Sequence, residues 1–317
     1  MSQITQPAVT VREPPLRKRP PVRRKGREPR VVRSVPLAFA WPAVVAVSVF
    51  YALPILVGFV LSFTNWSSYR DEREFIGLDN FRDLVSSGTL TSTVEVTLKF
   101  AVCFTVVANV AALGLALLLE KASRINSFFR TALFVPVLIS PLAAGYLFKA
   151  IFQADGSLNQ ALGLIVGGDV RVEWLGSTTW TVFVVALVQV WKSFGIYMLV
   201  YIAGLNAIPR ELIQAARVDG ASTWQVVRRV KVPLLAPAFT FNLALALIGS
   251  LQTFELALSM TQGGPGASTK VLNIAVWQNF GIGVFGYASA ISMVLFMVVA
   301  LLALPLITVL RRREVDL

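Results

Sequence analysis

Six long apolar stretches constrain this chain more than any other feature of its sequence. They lie at about 35–63, 94–119, 128–152, 179–205, 234–260 and 286–310. About 20 apolar residues in helical conformation cross the hydrocarbon core of a bilayer, and a helix satisfies its own backbone hydrogen bonds where no water is present. Charged residues make up only 15% of the chain, whereas soluble domains contain about 25%. We therefore predict an all-α integral membrane protein with six transmembrane helices.

The basic residues are distributed unevenly among the connections between these stretches. The chain has 29 Lys and Arg residues and a net charge of +12. The first 33 residues, the connections 120–131 and 206–233 and the C-terminus hold 21 of them, whereas the connections 64–93, 153–178 and 261–285 hold five. Positive residues accumulate on the cytoplasmic side of membrane proteins. We therefore predict a multi-pass protein of the bacterial cell (inner) membrane with both termini cytoplasmic, and interpret the charge as a topology signal rather than a nucleic-acid footprint.

The same patterns divide the chain into three parts. Residues 1–33 form a Pro- and Arg-rich tail with too few apolar residues to fold, and we predict a disordered basic cytoplasmic tail. Residues 34–310 form the transmembrane domain, and residues 311–317 form a cytoplasmic C-terminal tail. In the first external connection, the run FIGLDNFRDLVSSG predicts a short helix that is capped near Asp79 and ended by Gly88.

Several kinds of chemistry are excluded by residues that are missing or isolated. The sequence contains no His and a single cysteine, Cys103, within an apolar run. It therefore has neither a disulfide framework nor a thiolate metal cluster, and it lacks the commonest general base. The run GGPGASTK does not have the Gly-Lys-Ser/Thr order of a phosphate-binding loop. We assign no catalytic residue, no metal site and no nucleotide site, and predict that the protein is not an enzyme.

Residues 208–233 form a polar stretch between the fourth and fifth apolar runs. Pro209 suits the first position of one helix, Gly220 suits its end, and Ser222 suits the cap of a second helix. A DNA-binding helix-turn-helix has the same outline, but this stretch is tethered at both ends to membrane helices, which leaves no room for a major groove. We therefore interpret the stretch as an amphipathic element that docks into a groove of a cytoplasmic partner.

This stretch resembles the EAA loop of the membrane subunits of binding-protein-dependent ABC importers. The matching positions in ELIQAARVDGASTWQVVRRVKVPLLAP are Ala215, Ala216, Asp219, Gly220, Ala221, Val230, Val232 and Pro233. Gln214 stands where the family usually has Glu, so a hydrogen bond could replace a salt bridge there. The resemblance implies a coupling helix between transmembrane helices 4 and 5 that sits in the cleft of an ATP-hydrolysing subunit. The candidate ATPase-coupling residues are Gln214, Ala215, Ala216, Asp219, Gly220, Ala221 and Trp224.

A second resemblance concerns the external connections. The runs MTQGGPGASTK and GYASA look like those of the carbohydrate-permease branch of the same family, and FIGLDNF is similar to its first external loop. The matching positions are Thr261, Gly263, Gly264, Pro265, Thr269, Gly286, Tyr287, Ala288, Ser289 and Ala290. The similarity covers about residues 35–310 and is to permeases of maltose, oligosaccharide and glycerol-phosphate importers. It implies a subunit that forms half of the pathway for a sugar or related polyol.

The resemblance also implies a set of partners. These are a second homologous permease subunit, two copies of an ABC ATPase subunit, an extracytoplasmic solute-binding protein and the lipid bilayer. ATP and Mg would be bound by the partner ATPase, so that this chain itself would carry no cofactor. No nucleic-acid partner is implied.

Polar residues within the fourth and fifth runs are the candidates for the translocation pathway. At 100° per residue, Asn242, Gly249 and Thr253 fall within about 40° of one another on a helix. A polar stripe on an apolar helix faces the protein interior, and either helix packing or substrate contact would account for it. A charged side chain inside the bilayer needs an opposite charge or water beside it. Lys192 is therefore a stronger candidate for the translocation pathway than the uncharged residues. The full set is Gln189, Trp191, Lys192, Tyr197, Asn242, Gln252 and Thr253.

An ion-coupled secondary transporter of a small polar solute is the alternative from another class. Such folds usually contain internal repeats and broken helices around ion sites near the bilayer midplane. The two halves of this sequence show no repeat, and the acidic residues of the membrane runs are Glu95 and Glu255. We therefore favour the permease interpretation.

Overall fold

The computed structural model describes residues 40–312. The regular elements of this part are helices joined by loops, and its only β-type pairing is one isolated bridge between Thr64 and Phe75. The α-helices are α1 Trp41–Val47, α2 Leu53–Leu61, α3 Asp79–Ser86, α4 Thr89–Leu119, α5 Arg124–Phe134, α6 Pro141–Ile151, α7 Ser157–Val166, α8 Thr181–Ala207, α9 Arg210–Val218, α10 Thr223–Val226, α11 Val232–Leu234, α12 Ala236–Leu251, α13 Glu255–Thr261, α14 Leu272–Gly281 and α15 Phe285–Arg311. π-helical turns occupy Ser48–Ala52 and Val227–Lys231, and a 3₁₀ turn occupies Val135–Leu138. The all-α prediction is confirmed, while the predicted tail 1–33 and most of the predicted tail 311–317 lie outside the described residues.

Four helices of the described chain are long and apolar enough to cross a membrane. They are Trp41–Leu61, Thr89–Leu119, Thr181–Ala207 and Phe285–Arg311. Two further pairs of helices are long and apolar enough only when the two bent members of each pair are taken together. These are Arg124–Leu138 with Pro141–Ile151, and Thr223–Leu234 with Ala236–Leu251. The six predicted spans are therefore obtained if each bent pair counts as one span.

The third apolar run does not form the continuous helix expected from its hydropathy. Ile139 has extended backbone, a new helix begins at Pro141, and the two halves meet at 96°. Proline lacks the N–H that helix continuation requires, and both Pro136 and Pro141 lie beside the bend. The Ser140 hydroxyl accepts a hydrogen bond from the Ala143 N–H at 3.2 Å and caps the second half. The bend is thus encoded locally.

The fifth apolar run is also interrupted, which corrects the expectation of one helix over 234–260. α12 ends at Leu251 and α13 begins at Glu255. The side-chain amide of Asn273 donates to the carbonyl oxygens of Gln252 at 2.9 Å and of Thr253 at 3.4 Å. These bonds satisfy acceptors that the end of a helix leaves free. Asn273 therefore stabilises the break.

α4 and α8 form the centre of the bundle, and α12 packs against α4 as well. One side of α4 consists of small residues that are fully buried, namely Ala101, Ala108, Ala112 and Ala116. Their spacing of four or seven places them on one helix face. Small residues let two helix backbones approach closely, which is how helices associate where lipid removes the hydrophobic driving force.

The connections meet at two opposite ends of the bundle. At the N-terminal end of α4, the rings of Trp66 and Phe285 lie 4.6 Å apart, and the Ser68 N–H donates to the Gly283 carbonyl oxygen at 2.8 Å. The predicted short helix is present there as α3, although its N-cap residue is Leu78 rather than Asp79. At the C-terminal end of α4, the basic connections 120–131 and 206–233 contact each other.

Gly195 of α8 lies directly against the backbone of the third run. A Cβ at this position would be 2.6 Å from the carbonyl oxygen of Leu133 and 3.0 Å from the Cα of Phe134. Backbone atoms cannot rotate away as a side chain can. The close approach of α8 to the segment before the bend therefore requires glycine.

Replacing Gly195 with Ala is expected to lower the stability of the folded protein, because overpacking of this kind costs about 1–3 kcal/mol. Gly114→Ala is the matched control, since a Cβ there meets nothing within 4 Å. Thermal unfolding of the purified protein in detergent measures the difference. Equal unfolding temperatures for the two variants would contradict the packing described for Gly195.

Candidate functional site

The polar stretch 208–233 folds as two short helices around a glycine turn, and we name residues 208–233 the elbow. Gly220 follows α9 with φ +83°, a conformation that side-chain-bearing residues rarely adopt. Ser222 and Gln225 form a capping box: the Ser222 N–H donates to Gln225 Oε1 at 2.7 Å, and the Gln225 N–H donates to Ser222 Oγ at 3.3 Å. The helix-turn-helix outline is as predicted, except that Pro209 occupies the N-cap rather than the first helical position.

The elbow buries one side and exposes the other. Ile213 packs against the buried core, and Val226 is 2% exposed. The opposite side shows large apolar residues: Trp224 is 69% exposed and Val218 is 88% exposed. Such an apolar surface on an otherwise polar segment is typical of a binding site for another protein.

Most of the residues predicted to contact an ATPase are exposed, and four of the predicted residues line one concavity. Gln214, Ala215, Asp219, Gly220 and Trp224 are exposed, whereas Ala216 and Ala221 are half-buried. A concavity of about 310 Å³ lies between the two helices, and it is lined by Ala216, Asp219, Gly220, Ala221, Gln225, Arg229 and Val230. The elbow thus presents a shaped apolar surface with a polar rim.

The base of the elbow is attached to α4 by an ion pair that the sequence did not reveal. The Lys231 ammonium pairs with the Glu120 carboxylate, and the side chains are 11% and 21% exposed. Nearby, the Arg130 guanidinium donates to the carbonyl oxygen of Leu119 through Nε at 3.0 Å. In the sequence Lys231 counts only as one more topology charge, and no local pattern links it to a glutamate 111 residues away.

Two of the predicted pathway residues are packed inside the helix bundle. Asn242 is fully buried, and its amide donates to the backbone carbonyl oxygen of Tyr197 at 3.0 Å. One turn along α8, the Tyr201 hydroxyl donates to Asn109 Oδ1 at 2.7 Å, and the Asn109 amide donates to the Thr105 carbonyl oxygen at 2.8 Å. These residues form a buried polar layer that joins α4, α8 and α12.

The remaining candidates on α8 are Gln189, Trp191 and Lys192, of which the first two are half-buried. Gln189 donates to the Ser193 hydroxyl at 3.1 Å. The ring of Trp191 lies 4.9 Å from that of Phe148. Lys192 is 8% exposed and forms no ion pair within the described residues. Lys192 is therefore a buried cation that a ligand or water would stabilise.

Gln252 and Thr253 do not continue the predicted stripe of α12. The helix ends at Leu251, so both residues belong to the break, where Gln252 is exposed and Thr253 is 8% exposed. Gly249, which was expected to share a surface with the fully buried Asn242, is itself exposed. The structure thus brings Asn242 and Tyr197 together and places Gln252 and Thr253 at a different level of the bundle.

A row of aromatic rings leads from the connection 153–178 to Trp191. Ring centroids are 6.2 Å apart between Trp174 and Phe152, 5.6 Å between Phe152 and Phe148, and 4.9 Å between Phe148 and Trp191. A cavity of about 400 Å³ adjoins this row; its lining residues are Lys149, Phe152, Gln153, Leu175, Met260, Thr261, Gln262, Gly264 and Pro265. The sequence signal for this row was limited to scattered aromatics, because its members come from three separate segments.

The sequence matches a described family and several named proteins. A model of the family "Binding-protein-dependent transport system inner membrane component" matches residues 108–314. The chain is 32% identical over 282 residues to the "Probable starch degradation products transport system permease protein" of Thermoanaerobacterium thermosulfurigenes, covering 88% of this chain and 94% of the relative. It is 28% identical over 269 residues to the "Multiple sugar-binding transport system permease protein" of Streptococcus mutans, covering 84% and 92%.

Two crystal structures share the fold. A chain of a bacterial ABC transporter involved in the import of the acidic polysaccharide alginate superposes with a TM-score of 0.75 at 21% identity, covering 87% of this chain and 97% of that chain. A chain of the bacterial alginate ABC transporter in complex with an alginate pentasaccharide-bound periplasmic protein gives a TM-score of 0.75 at 22% identity, covering 87% and 93%.

Replacing Tyr201 with Phe is expected to destabilise the bundle, because Asn109 loses its hydroxyl donor in the buried polar layer. Hydrogen bonds between membrane helices contribute about 0.6 kcal/mol on average and up to about 1.7 kcal/mol. Tyr51→Phe is the control, since Tyr51 is 69% exposed. The midpoint of unfolding by a denaturing detergent measures both. A Tyr201→Phe midpoint that matches Tyr51→Phe would show that the hydroxyl contributes nothing.

Proposed function

Because this chain belongs to the family of binding-protein-dependent transport system inner membrane components, we propose that it forms half of the translocation pathway of an ATP-driven importer of a sugar or related polyol and couples to a separate ATPase subunit. Members of this family are permease subunits, which transport rather than catalyse. The observation that carries the coupling proposal is the exposed elbow, with its left-handed Gly220 and its exposed Trp224.

The surface of the elbow defines the partner that would receive it. Trp224 is a large exposed aromatic of the kind that dominates protein interfaces. Four exposed arginines surround the apolar surface: Arg210, Arg217, Arg228 and Arg229. An ATPase subunit with an apolar cleft and an acidic rim would complement this surface in shape and charge. Two such subunits would serve this chain and a second, homologous permease, because one bundle of this size encloses only half of a pathway.

The orientation follows from the charge asymmetry together with the contacts between connections. The basic connections 120–131 and 206–233 contact each other at one end of the bundle, and the positive-inside rule places that end in the cytoplasm. The opposite end would then face an extracytoplasmic solute-binding protein. We therefore propose a bacterial inner-membrane protein with both termini cytoplasmic.

The proposed substrate class is supported by relatives and by the aromatic row. The relatives carry names such as starch degradation products, multiple sugar-binding and trehalose/maltose transport permeases. In this chain, the rings of Trp174, Phe152, Phe148 and Trp191 follow one another beside a cavity that also presents Gln153 and Gln262. Aromatic faces and amides are the groups that would bind a sugar ring. A neutral sugar or polyol could therefore pass along this row.

ATP would act on this chain through motion of the elbow. Closure of an ATPase pair would displace the elbow. The helices attached to the elbow would then switch between two discrete packed states, one open to the outside and one open to the inside.

The decisive experiment is solute uptake into proteoliposomes that contain the complete complex. Uptake that requires ATP and the binding protein supports the proposal, whereas uptake by this chain alone, driven by an ion gradient, would establish the secondary transporter instead.

Replacing Gly220 with Val is expected to uncouple ATP hydrolysis from uptake. A β-branched residue is strained at φ +83°, even though a Cβ there meets nothing within 4 Å inside this chain. Solute transported per ATP should fall about tenfold, within the range of coupling between sites. Gly220→Asn is the matched control, because Asn tolerates the left-handed conformation, and it should keep more coupling. Normal coupling in Gly220→Val would rule out this turn as the coupling element.

Replacing Lys192 with Gln is expected to slow uptake while leaving assembly intact, because it removes a buried cation close to the aromatic row. Lys121→Gln is the control, since Lys121 is exposed at the opposite end of the bundle. Uptake rate and the yield of assembled complex are measured together. Unchanged uptake in Lys192→Gln would remove this residue from the pathway.

A further inference from the structure

We propose that Lys231 and Glu120 are positioning residues that transmit displacement of the elbow to α4. This inference rests on the proposed coupling function and adds a second route of transmission. The elbow continues through the chain into α12, which is the obvious route. The ion pair between Lys231 and Glu120 connects the elbow across 111 residues of sequence to the central helix of the bundle.

The surroundings of the pair distinguish it from an ordinary surface ion pair. Exposed pairs contribute little to stability because water competes with them. Lys231 as a residue is only 9% exposed, and the two side chains are 11% and 21% exposed. Removing one partner would leave a charge largely buried and uncompensated, which is strongly unfavourable. The two residues are therefore expected to stay together when one of them moves.

Lys231 lies on the elbow side of a sharp bend. It is the last residue of the π-helical turn Val227–Lys231, and π-turns inside helices occur frequently at functional sites. The helix that contains it, Thr223–Leu234, meets α12 at 67°. A displacement along the elbow would be only partly passed on through such a bend. The ion pair with Glu120 lies on the elbow side of the bend. A displacement passed to α4 through this pair therefore does not have to cross the bend.

Glu120 lies at the C-terminal end of α4, and hydrogen bonds from α5 hold this end in place. It is the C-cap residue of α4, and the Arg130 guanidinium of α5 donates to the carbonyl oxygens of Leu119 at 3.0 Å and of Lys121 at 3.3 Å. Cations at a helix C-terminus interact favourably with the helix dipole. Arg130 therefore fixes α5 to the helix end that Lys231 holds, so that a displacement of Lys231 would reach the third run as well.

α4 is suited to distribute such a displacement. It packs against α8, α12 and α14, and Asn109 in its middle accepts the hydrogen bond from Tyr201 of α8. Toward its N-terminal end, the Thr97 hydroxyl accepts a hydrogen bond from the Leu272 N–H of α14 at 3.0 Å. A shift of the Glu120 end would therefore act on contacts along the full length of the bundle.

The experiment uses the complete complex reconstituted with its ATPase, partner permease and binding protein. Lys231→Met and Glu120→Gln each remove one charge, Lys231→Arg keeps it, and the double variant Lys231→Glu with Glu120→Lys exchanges the two. Lys121→Met is the control, because Lys121 is an exposed cation next to Glu120 that has no place on the docking surface. Complex yield, ATP hydrolysis with and without the binding protein, and uptake are measured for each variant.

The expected result is a selective loss of coupling. Lys231→Met and Glu120→Gln should transport about tenfold less solute per ATP in complexes that still assemble and hydrolyse ATP. Lys231→Arg should couple normally, and the exchanged pair should recover most of the loss. Lys121→Met should behave as the unaltered protein in coupling per ATP.

Two results would overturn the inference. One is normal coupling in Lys231→Met. The other is a failure of assembly in both Lys231→Met and the exchanged pair while Lys231→Arg is normal, because the pair would then act only in folding. Either result, obtained in a complex that shows ATP-driven uptake and loses coupling in Gly220→Val, leaves the proposed function standing. Absence of ATP-driven uptake in the unaltered complex would instead remove the proposed function itself.

Discussion

Asparagine side chains that donate to backbone carbonyls recur where the helices of this bundle end and meet. A helix end leaves its last carbonyl oxygens without donors, and an unsatisfied group in a bilayer is costly because no water can replace the donor. An amide meets this need with two N–H groups on a short side chain. Asn80, Asn126, Asn159 and Asn273 donate to carbonyls at or just beyond the ends of α2, α4, α6 and α12, whereas Asn242 donates to the Tyr197 carbonyl within α8.

Side-chain hydrogen bonds accompany the breaks in the middle of two apolar runs, with Ser140 at the break before α6 and Asn273 at the break before α13. α6 and α13 are both short helices, and they pack directly on each other: a Cβ on Gly145 would lie 1.8 Å from the Ser259 hydroxyl oxygen. α4 and α8, by contrast, are long and continuous. The bundle therefore combines two continuous central helices with two short helices that line the cavity through Lys149 and Thr261.

Properties that depend on local sequence were predictable, and those that depend on distant contacts were not. Hydropathy located the apolar runs, and Pro209, Gly220 and Ser222 marked the two helices of the elbow. The break at Ser140 has a local signal in Pro136, Pro141 and the capping Ser140, which hydropathy does not take into account. The break at Thr253 is instead stabilised by Asn273 from a later segment. The buried position of Asn242 and the partner of Lys231 depend on which helices become neighbours. The prediction that Thr253 shares a helix face with Asn242 was wrong, because the helix ends at Leu251.

The energetics of the Lys231–Glu120 pair favour an interpretation in terms of specificity rather than stability. Bringing both charges out of water costs several kcal/mol per ion, and well-packed apolar side chains of similar size are often as stabilising as a buried pair. Four other cations of the elbow, Arg210, Arg217, Arg228 and Arg229, remain exposed, so the segment can keep its positive charge in water. A pair of opposite charges accepts only one register between two segments, whereas an apolar contact allows sliding. The proposed transmission of a displacement through the elbow requires such a fixed register, which a pair of opposite charges is suited to provide.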